Sequence, residues 1–208
     1  MRRPSRPPVA ALAAAALLAI VVSAACGVPA DDKPRAISRE QAPDLDEGDV
    51  DTSPAVTEPA TLFLTRADPD ANHLVPVEEK VPVGSSSTSP TPATALETLL
   101  SYMPNDELRA QGYASRIPPN TALASPPQLD DRGVLLVDLN SNIDNVQAEG
   151  SQLAFGQIVC TADAFDEVVA VRFQVEGQSR AAPTGGGATT NEPVTCRSYA
   201  DLMEPASG

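Results

Sequence analysis

The sequence is poor in the side chains that carry most acid–base and stacking chemistry. Its 208 residues include one histidine, no tryptophan, three tyrosines and four phenylalanines. So few aromatic rings leave little material for stacking against sugar rings. The histidine, His73, would need a nucleophile and an orienting carboxylate to act as a catalytic base, and the chain has no Gly-x-Ser-x-Gly segment. We therefore predict that His73 is a solvated residue beside a turn and that the protein is not an enzyme.

Positive charge is also scarce. Fourteen lysines and arginines stand against 28 acidic residues, which gives a formal net charge of −14. Nucleic acids require a basic surface, so we predict no nucleic-acid partner. The histidine and the two internal cysteines fall short of a four-ligand zinc set, and Gly185–Gly187 lacks the lysine of a phosphate-binding loop. The sequence therefore predicts no metal and no cofactor.

The first 26 residues have the order of an export signal. Three arginines precede an apolar run at 9–22, and Ser23–Ala25 supply the small residues of a cleavage site before Cys26. A cysteine directly after such a site resembles the signal of a bacterial lipoprotein, in which a diacylglycerol is attached to the cysteine sulfur and the chain is cut before the cysteine. We expect a signal peptide at residues 1–25, lipidation of Cys26, and a lipid anchor on the extracytoplasmic face of the cell membrane.

Two other interpretations of this segment stay open. Lipoprotein signals usually carry leucine, valine or isoleucine three residues before the cysteine, where this chain has Ser23. Cleavage after Ala25 without lipid is therefore one alternative. An uncleaved membrane helix is the other, although a run of about 14 residues is shorter than the roughly 20 needed to cross a bilayer.

The chain has three cysteines, an odd number that needs an explanation in an exported protein. If Cys26 carries lipid, Cys160 and Cys196 remain as a pair in an oxidising compartment. We predict a structural disulfide between them, and two unpaired thiols are the alternative. A bond across this separation is expected to add about 3–4 kcal/mol to the free energy of unfolding.

Residues 26–59 are typical of a tether. The segment is rich in proline and acidic residues and has no aromatic residue, a composition that keeps a chain extended and solvated. The carboxylates of Asp44–Asp51 suggest a calcium loop, but the glycine and glutamate there are not at EF-hand spacing. Removing residues 1–25 leaves 11 basic against 28 acidic residues. Anionic lipid would not hold so acidic a chain, so stable attachment depends on acyl chains at Cys26.

Residues 60–205 are long enough for one folded domain with a single core. Thr61–Arg66 predicts a first strand, and residues 73–83 predict a second, returning strand. Pro76 and Pro82 cannot donate to a strand ladder, so the second strand should lie at a sheet edge.

Two helices are predicted. The first has Thr91 as its N-cap and Pro92 in its first turn, and its apolar face extends to Met103 before Pro104 ends it. The second is expected over residues 151–165, where apolar residues recur along one side.

The remaining elements are mostly strands. The apolar run at 134–137 predicts a strand covered on both faces, and apolar residues at every second position from 169 to 175 predict a half-buried strand. Residues 182–190 are expected to be a flexible loop, and the segment ending at Met203 a helical turn. The predicted order is β-β-α-β-β-α-β-β. It indicates an α+β domain with a mixed or antiparallel sheet and two helices packed on one face.

Several segments, in this order, resemble the GerMN domain, a module first associated with spore formation and germination that also occurs in actinobacterial lipoproteins. They are LVPVEEKVPV, ALETLLSYMP, GYASRIPPNTAL, GVLLVDLN and QLAFGQIVCTADAFDEVVAVRFQVEGQ. The likeness covers about Thr61 to Gln178. It lies in a spaced pattern of apolar residues together with Pro118, Asp138, Thr161 and Gly177. The resemblance implies an extracytoplasmic module for assembly or binding, without enzymatic activity.

The functional prediction is thus a lipoprotein whose domain binds a protein partner in the cell envelope. The alternative is a lipid-anchored hydrolase or solute-binding lipoprotein with a cleft that the sequence hides. The pairs Asp130/Asp131 and Asp163/Asp166 could flank a scissile bond, although chance pairs are expected among 28 acidic residues. An enzyme should show a pocket with converging polar groups, and a module should show an exposed sheet edge or an apolar patch.

Overall fold

A computed structural model describes residues 56–69, 71–84, 87–146 and 148–205. The predicted signal peptide, Cys26 and most of the predicted tether lie outside the described residues. The described residues fall in one unit. Its strands and α-helices, in chain order, are β1 Thr57–Ala67, β2 Asn72–Pro82, α1 Pro92–Ser101, α2 Asp106–Ala110, β3 Tyr113–Ala114, β4 Gln128–Leu129, β5 Val134–Leu139, α3 Ala148–Asp163, β6 Ala170–Val175, β7 Gln178–Arg180, β8 Ala182–Pro183 and β9 Thr189–Thr190.

The described residues also form two 3₁₀ helices. Ser141–Asn145 follows β5, and Cys196–Leu202 lies near the end of the chain. Within the described ranges, no helix is long and apolar enough to span a membrane.

The first sheet is antiparallel, with the strand order β2-β1-β3. The pairing of β1 with β2 extends from Thr57 opposite Pro82 to Ala67 opposite Asn72. β2 lies at the edge of this sheet, as its prolines predict. Thr57 to Pro59, which the composition assigned to the tether, are the first residues of β1.

Helix α3 covers part of the other edge of β1. Strand β3 pairs with β1 at Thr65 and Arg66. Next to this short pairing, the amide of Phe63 donates to the Thr161 hydroxyl at 2.9 Å, and Gln157 Nε2 donates to the Phe63 carbonyl at 3.0 Å. Both helix side chains are fully buried. The helix therefore satisfies main-chain groups that a further strand would otherwise pair.

The second sheet is mixed and has the order β4-β5-β6-β7. β5 and β6 are parallel, whereas β4 with β5 and β6 with β7 are antiparallel. Helix α3 forms the crossover between the two parallel strands, which is the usual connection for such a pair. In β5, Val134 and Leu136 are half-buried while Leu135 and Val137 are buried, so coverage of both faces is only partial.

The core joins the two main helices to both sheets. Helices α1 and α3 contact each other, and each contacts β1 and β2; α3 also contacts β6. The Phe155 ring on α3 meets the Phe173 ring on β6 edge-on, with centroids 4.8 Å apart. The fully buried leucines Leu62, Leu64 and Leu96 belong to the same cluster. The α+β class predicted from the sequence is confirmed.

Three local predictions are wrong. Helix α1 ends at Ser101 and leaves Met103 83% exposed, whereas the sequence pattern placed Met103 on the buried face. Val169, predicted to belong to the half-buried strand, is 62% exposed because β6 begins only at Ala170. Residues 182–190, predicted to be a loop, contain the β8–β9 hairpin.

The predicted element order also missed α2 and β3, which are too short to show a period. The second helix begins at Ala148 and ends at Asp163. Phe165 therefore lies beyond its end, not on its apolar side.

Candidate functional site

An apolar groove lies where the end of α1, helix α2 and the segment after β3 come together. It has a volume of about 920 Å³. Its lining comes from residues 100–104, 113–115 and 117–123, together with Glu97 and Arg109. We call this surface the α1 groove.

The end of α1 shapes one part of the groove. Tyr102 is the C-cap residue, and its amide donates to the Leu99 carbonyl at 3.1 Å. Pro104 disfavours helical geometry in the residue before it, so the chain leaves the helix before Met103. The buried Pro104 then holds the turn against the domain while the Met103 side chain extends into solvent.

Two tyrosine side chains that line the groove are held in place by contacts with residues of β1 and β2. The Tyr102 hydroxyl donates to the Glu79 carboxylate on β2. Burial, followed by the hydrogen bond and negative charge of Glu79, raises the pKa of Tyr102 above its ordinary value. Tyr113 lies beneath the guanidinium of Arg66, whose central carbon is 5.8 Å from the ring centroid. Tyr102 is therefore a protonated, positioned ring rather than a base or nucleophile.

The segment after β3 forms the rest of the lining. Ile117, Pro118 and Thr121 are buried, and the Thr121 hydroxyl donates to the Pro118 carbonyl at 2.8 Å. Asn120 has a φ of 63° inside this turn, a conformation that asparagine tolerates better than most residues. The hydrogen bond and the turn fix an apolar surface without regular secondary structure.

The charged side chains that line the groove are Glu97 and Arg109, one of each sign, and both are exposed. Arg109 also pairs with Asp106 within α2. An acid–base site would need titratable groups that converge on a reacting atom. This lining instead suits binding of an apolar surface with little net charge.

A second cavity, of about 710 Å³, lies near the start of β1. Its lining includes the carboxylates of Glu58, Glu78, Asp166 and Glu167. No group of three or more histidine, cysteine, aspartate or glutamate side chains in the described ranges is arranged to hold a metal ion.

The disulfide predicted between Cys160 and Cys196 is present. It joins α3 to the start of the last 3₁₀ helix. Next to it, the Cys196 amide donates to the Asp163 carboxylate. One turn into the 3₁₀ helix, the fully buried Tyr199 packs so closely on α3 that a Cβ on Gly156 would lie 3.1 Å from its ring. The disulfide thus secures the last 3₁₀ helix to the core.

His73 is not the solvated side chain that its place beside a turn suggested. Its side chain is 18% exposed, and its Nε2 lies 2.8 Å from an Asp68 carboxylate oxygen across the β1–β2 turn. The cross-strand partner of His73 is Arg66, which pairs with Glu204 near the end of the described chain. His73 does not line the α1 groove.

The carboxylate pairs do not build a shared cleft. Asp130 accepts hydrogen bonds from the amides of Val134 and Arg132, each at 2.9 Å, and these bonds lower the pKa of Asp130. Asp163 has the opposite shift, since burial raises its pKa despite the hydrogen bond from Cys196. Neither pair lines the α1 groove.

The sequence patterns do not predict the α1 groove. Its lining residues come from a helix end and an irregular segment, so no period marks them. One signal was available, because a residue before proline avoids helical geometry, and this predicts that Met103 leaves the helix.

Comparison with known families identifies the domain. Residues 61–181 match the family model described as Germane: Sporulation and spore germination. The chain belongs to this family. Comparison with curated proteins gives no match.

Two solved structures share the fold. The first GerMN domain of the sporulation protein GerM from Bacillus subtilis is 20% identical, with a TM-score of 0.54, over 68% of this chain and 99% of that one. The tandem GerMN domains of the same protein give 22% identity and a TM-score of 0.52 over 68% of this chain. The match spans 45% of the tandem structure, so it corresponds to less than half of that chain.

Proposed function

We propose that this protein is an extracytoplasmic lipoprotein, anchored by acyl chains on Cys26, whose Germane domain is a non-catalytic docking module. The order of basic, apolar and small residues before Cys26 supports export and lipidation. The disulfide uses the other two cysteines, which leaves Cys26 as the one thiol for the lipid. More than one acyl chain would give stable anchoring.

The α1 groove is the observation that carries the docking role. It presents an apolar lining, an exposed apolar side chain at Met103 and two charges of opposite sign. Exposed apolar surface of this kind marks interaction sites in soluble domains. The covered edge of β1 argues for docking through the groove rather than by strand addition at that position.

Solute binding is the second candidate, and the size of the groove favours it. A volume of about 920 Å³ lies within the range of small-molecule sites. The two candidates can be distinguished by altering the groove. If the groove is a docking surface, the change removes a protein partner from the complex; if it is a solute site, the partner stays bound.

Fractionation of cells that express the full chain tests the anchor. We expect the protein in the membrane fraction after a high-salt wash, and its release by detergent. Cys26→Ala should remove it from that fraction. The double variant Cys160→Ala/Cys196→Ala is the control, since it also replaces cysteines but keeps Cys26 and should stay with the membrane. Equal membrane retention of the Cys26→Ala variant would contradict the anchor.

Crosslinking in intact cells tests the docking role. A protein adduct that forms on the full chain and is lost when the groove is altered by Leu123→Asp supports it. Recovery of only the monomer in repeated experiments would contradict it. The matched control is Leu129→Asp, an exposed leucine on β4 outside the groove, which should keep the adduct.

A further inference from the structure

We propose that the protein bound by the α1 groove is a second copy of this chain, related by a two-fold axis, with the Met103 side chain of each copy inserted into the groove of the other. The inference rests on the proposed function, because it names the partner of the same surface.

The shape of the surface suits contact with itself. In a two-fold interface the same patch serves both partners, so it must be complementary to itself. A projection beside a depression meets that condition. Met103 is 83% exposed and belongs to the lining of an apolar groove. Methionine is flexible and fills irregular apolar gaps well, which makes it a suitable projection.

The charges of the surface are self-complementary. The two charged lining residues, Glu97 and Arg109, are both exposed and opposite in sign. A two-fold axis can place Glu97 of each copy against Arg109 of the other, so that two ion pairs form. Although Arg109 pairs with Asp106 in its own helix, a guanidinium has further N–H donors for a second carboxylate.

Net charge also bears on the choice of occupant. The chain carries a formal charge of −14, so the net charges of two copies repel each other. The groove lining, in contrast, contributes one positive and one negative side chain. Two copies of this acidic protein can therefore meet at their groove linings without repulsion between the contacting groups.

The groove is held in place before binding. The Tyr102 hydroxyl is bonded to Glu79, and the Arg66 guanidinium lies over Tyr113. In the groove lining, the hydrogen bond from Thr121 to Pro118 fixes the turn formed by residues 118–121. Ordering these groups on association costs little, because preorganised surfaces lose less conformational freedom.

Site-specific photocrosslinking of the full chain in intact cells tests the proposal. Two copies with different affinity tags are expressed together, each with a photoreactive benzoylphenylalanine in place of Met103. We expect an adduct of twice the monomer mass that contains both tags. The control has the same photoreactive residue in place of Val169, which is 62% exposed but outside the groove, and should give no such adduct.

The outcomes separate this inference from the proposed function. An adduct that contains both tags supports both. An adduct from position 103 to a different protein overturns the second copy as partner and leaves the docking role standing. No protein adduct from position 103 overturns both.

Charge reversal supplies a second, independent test with the same crosslink as readout. Glu97→Arg and Arg109→Glu should each lower the homodimer adduct about tenfold, since each change turns two attractive pairs into repulsive ones. Coexpression of the Glu97→Arg copy with the Arg109→Glu copy restores both pairs between different chains. We expect the mixed adduct to return to the wild-type level, a rescue that a folding defect would not give. Failure of the mixed pair to recover would overturn the proposed geometry.

Discussion

Gln157 on α3 binds the main chain of Phe63 on β1, with Nε2 donating to the Phe63 carbonyl at 3.0 Å. The other end of the same amide accepts from the Arg116 amide at 2.7 Å. A fully buried glutamine thus bridges a strand and the segment that leads into the α1 groove. Buried main-chain groups are costly to leave unpaired, so this side chain has a large role in stability.

Gln157→Leu should therefore lower the free energy of unfolding by about 1–3 kcal/mol, because it leaves the part-buried Phe63 carbonyl and Arg116 amide without this partner. Urea denaturation followed by circular dichroism measures this. The control is Gln152→Leu on the same helix, where the half-buried side chain should cost less than about 1 kcal/mol. Equal losses in the two variants would contradict the role given to Gln157.

Alanine substitutions at two glycines distinguish the cost of a steric clash from the cost of backbone strain. Gly133 and Gly177 have nearly the same φ, 76° and 75°. A Cβ on Gly133 would lie 2.7 Å from Val169 Cγ2 and 3.0 Å from the Glu167 carbonyl, whereas one on Gly177 would meet nothing within 4 Å. We expect Gly177→Ala to cost about 1 kcal/mol from backbone strain, and Gly133→Ala to cost about 1–3 kcal/mol more.

Thermal unfolding of both alanine variants checks this prediction. The difference between their melting temperatures reports the contact with Val169 and Glu167, since the backbone term is common to both. Melting temperatures that agree within error would show that the loop before β6 moves aside without cost.

Loss of the disulfide should destabilise the domain strongly. Cys160→Ala/Cys196→Ala is expected to lower the free energy of unfolding by about 3–4 kcal/mol, through the gain in entropy of the unfolded chain. Wild-type protein treated with a reducing agent should approach the same value, while the double variant should not respond to the reagent. If reduction leaves the urea midpoint of wild-type protein unchanged, the bond does not secure the last segment.

Asp163 should give the domain a pH-dependent stability. Burial raises its pKa in the folded state, so the folded protein binds a proton more readily than the unfolded chain does. Stability should therefore fall as the pH rises from the ordinary aspartate range through the raised pKa, and then level off. Asp163→Asn should remove that slope and raise stability at neutral pH, by less than about 1 kcal/mol because the group is only partly buried.

Urea titrations between pH 3.5 and 7, roughly the range in which carboxyl groups titrate, compare Asp163→Asn with Asp166→Asn. The second variant changes a nearby exposed aspartate and should keep the wild-type slope. If both variants lose the pH dependence of stability, or if neither does, Asp163 is not its source.

The local features of the fold followed from local signals. Thr91 caps α1 as predicted, and its hydroxyl accepts from the Thr94 amide at 3.2 Å. The prolines of β2 placed it at an edge, and the alternating residues of β6 gave its buried face at Val171 and Phe173. Such features depend on residues close in sequence, which is why periodicity and capping chemistry reveal them.

The features that sequence patterns missed depend on distant partners. Gln157 and Thr161 are polar residues in the most buried part of α3, and their role is set by β1, which lies far away in the chain. The α1 groove needs the end of one helix and an irregular segment to meet. No periodic pattern encodes either arrangement, and the family resemblance gives the fold without giving this surface.

The proposed function depends on a lipid anchor at Cys26. Mass spectrometry of the N-terminal peptide, taken from protein extracted from the membrane fraction, tests it most directly. We expect a mature chain that begins at Cys26 and carries a diacylglycerol on the cysteine sulfur. A mature chain whose Cys26 sulfur carries no lipid, or a chain that still carries residues 1–25, would contradict it.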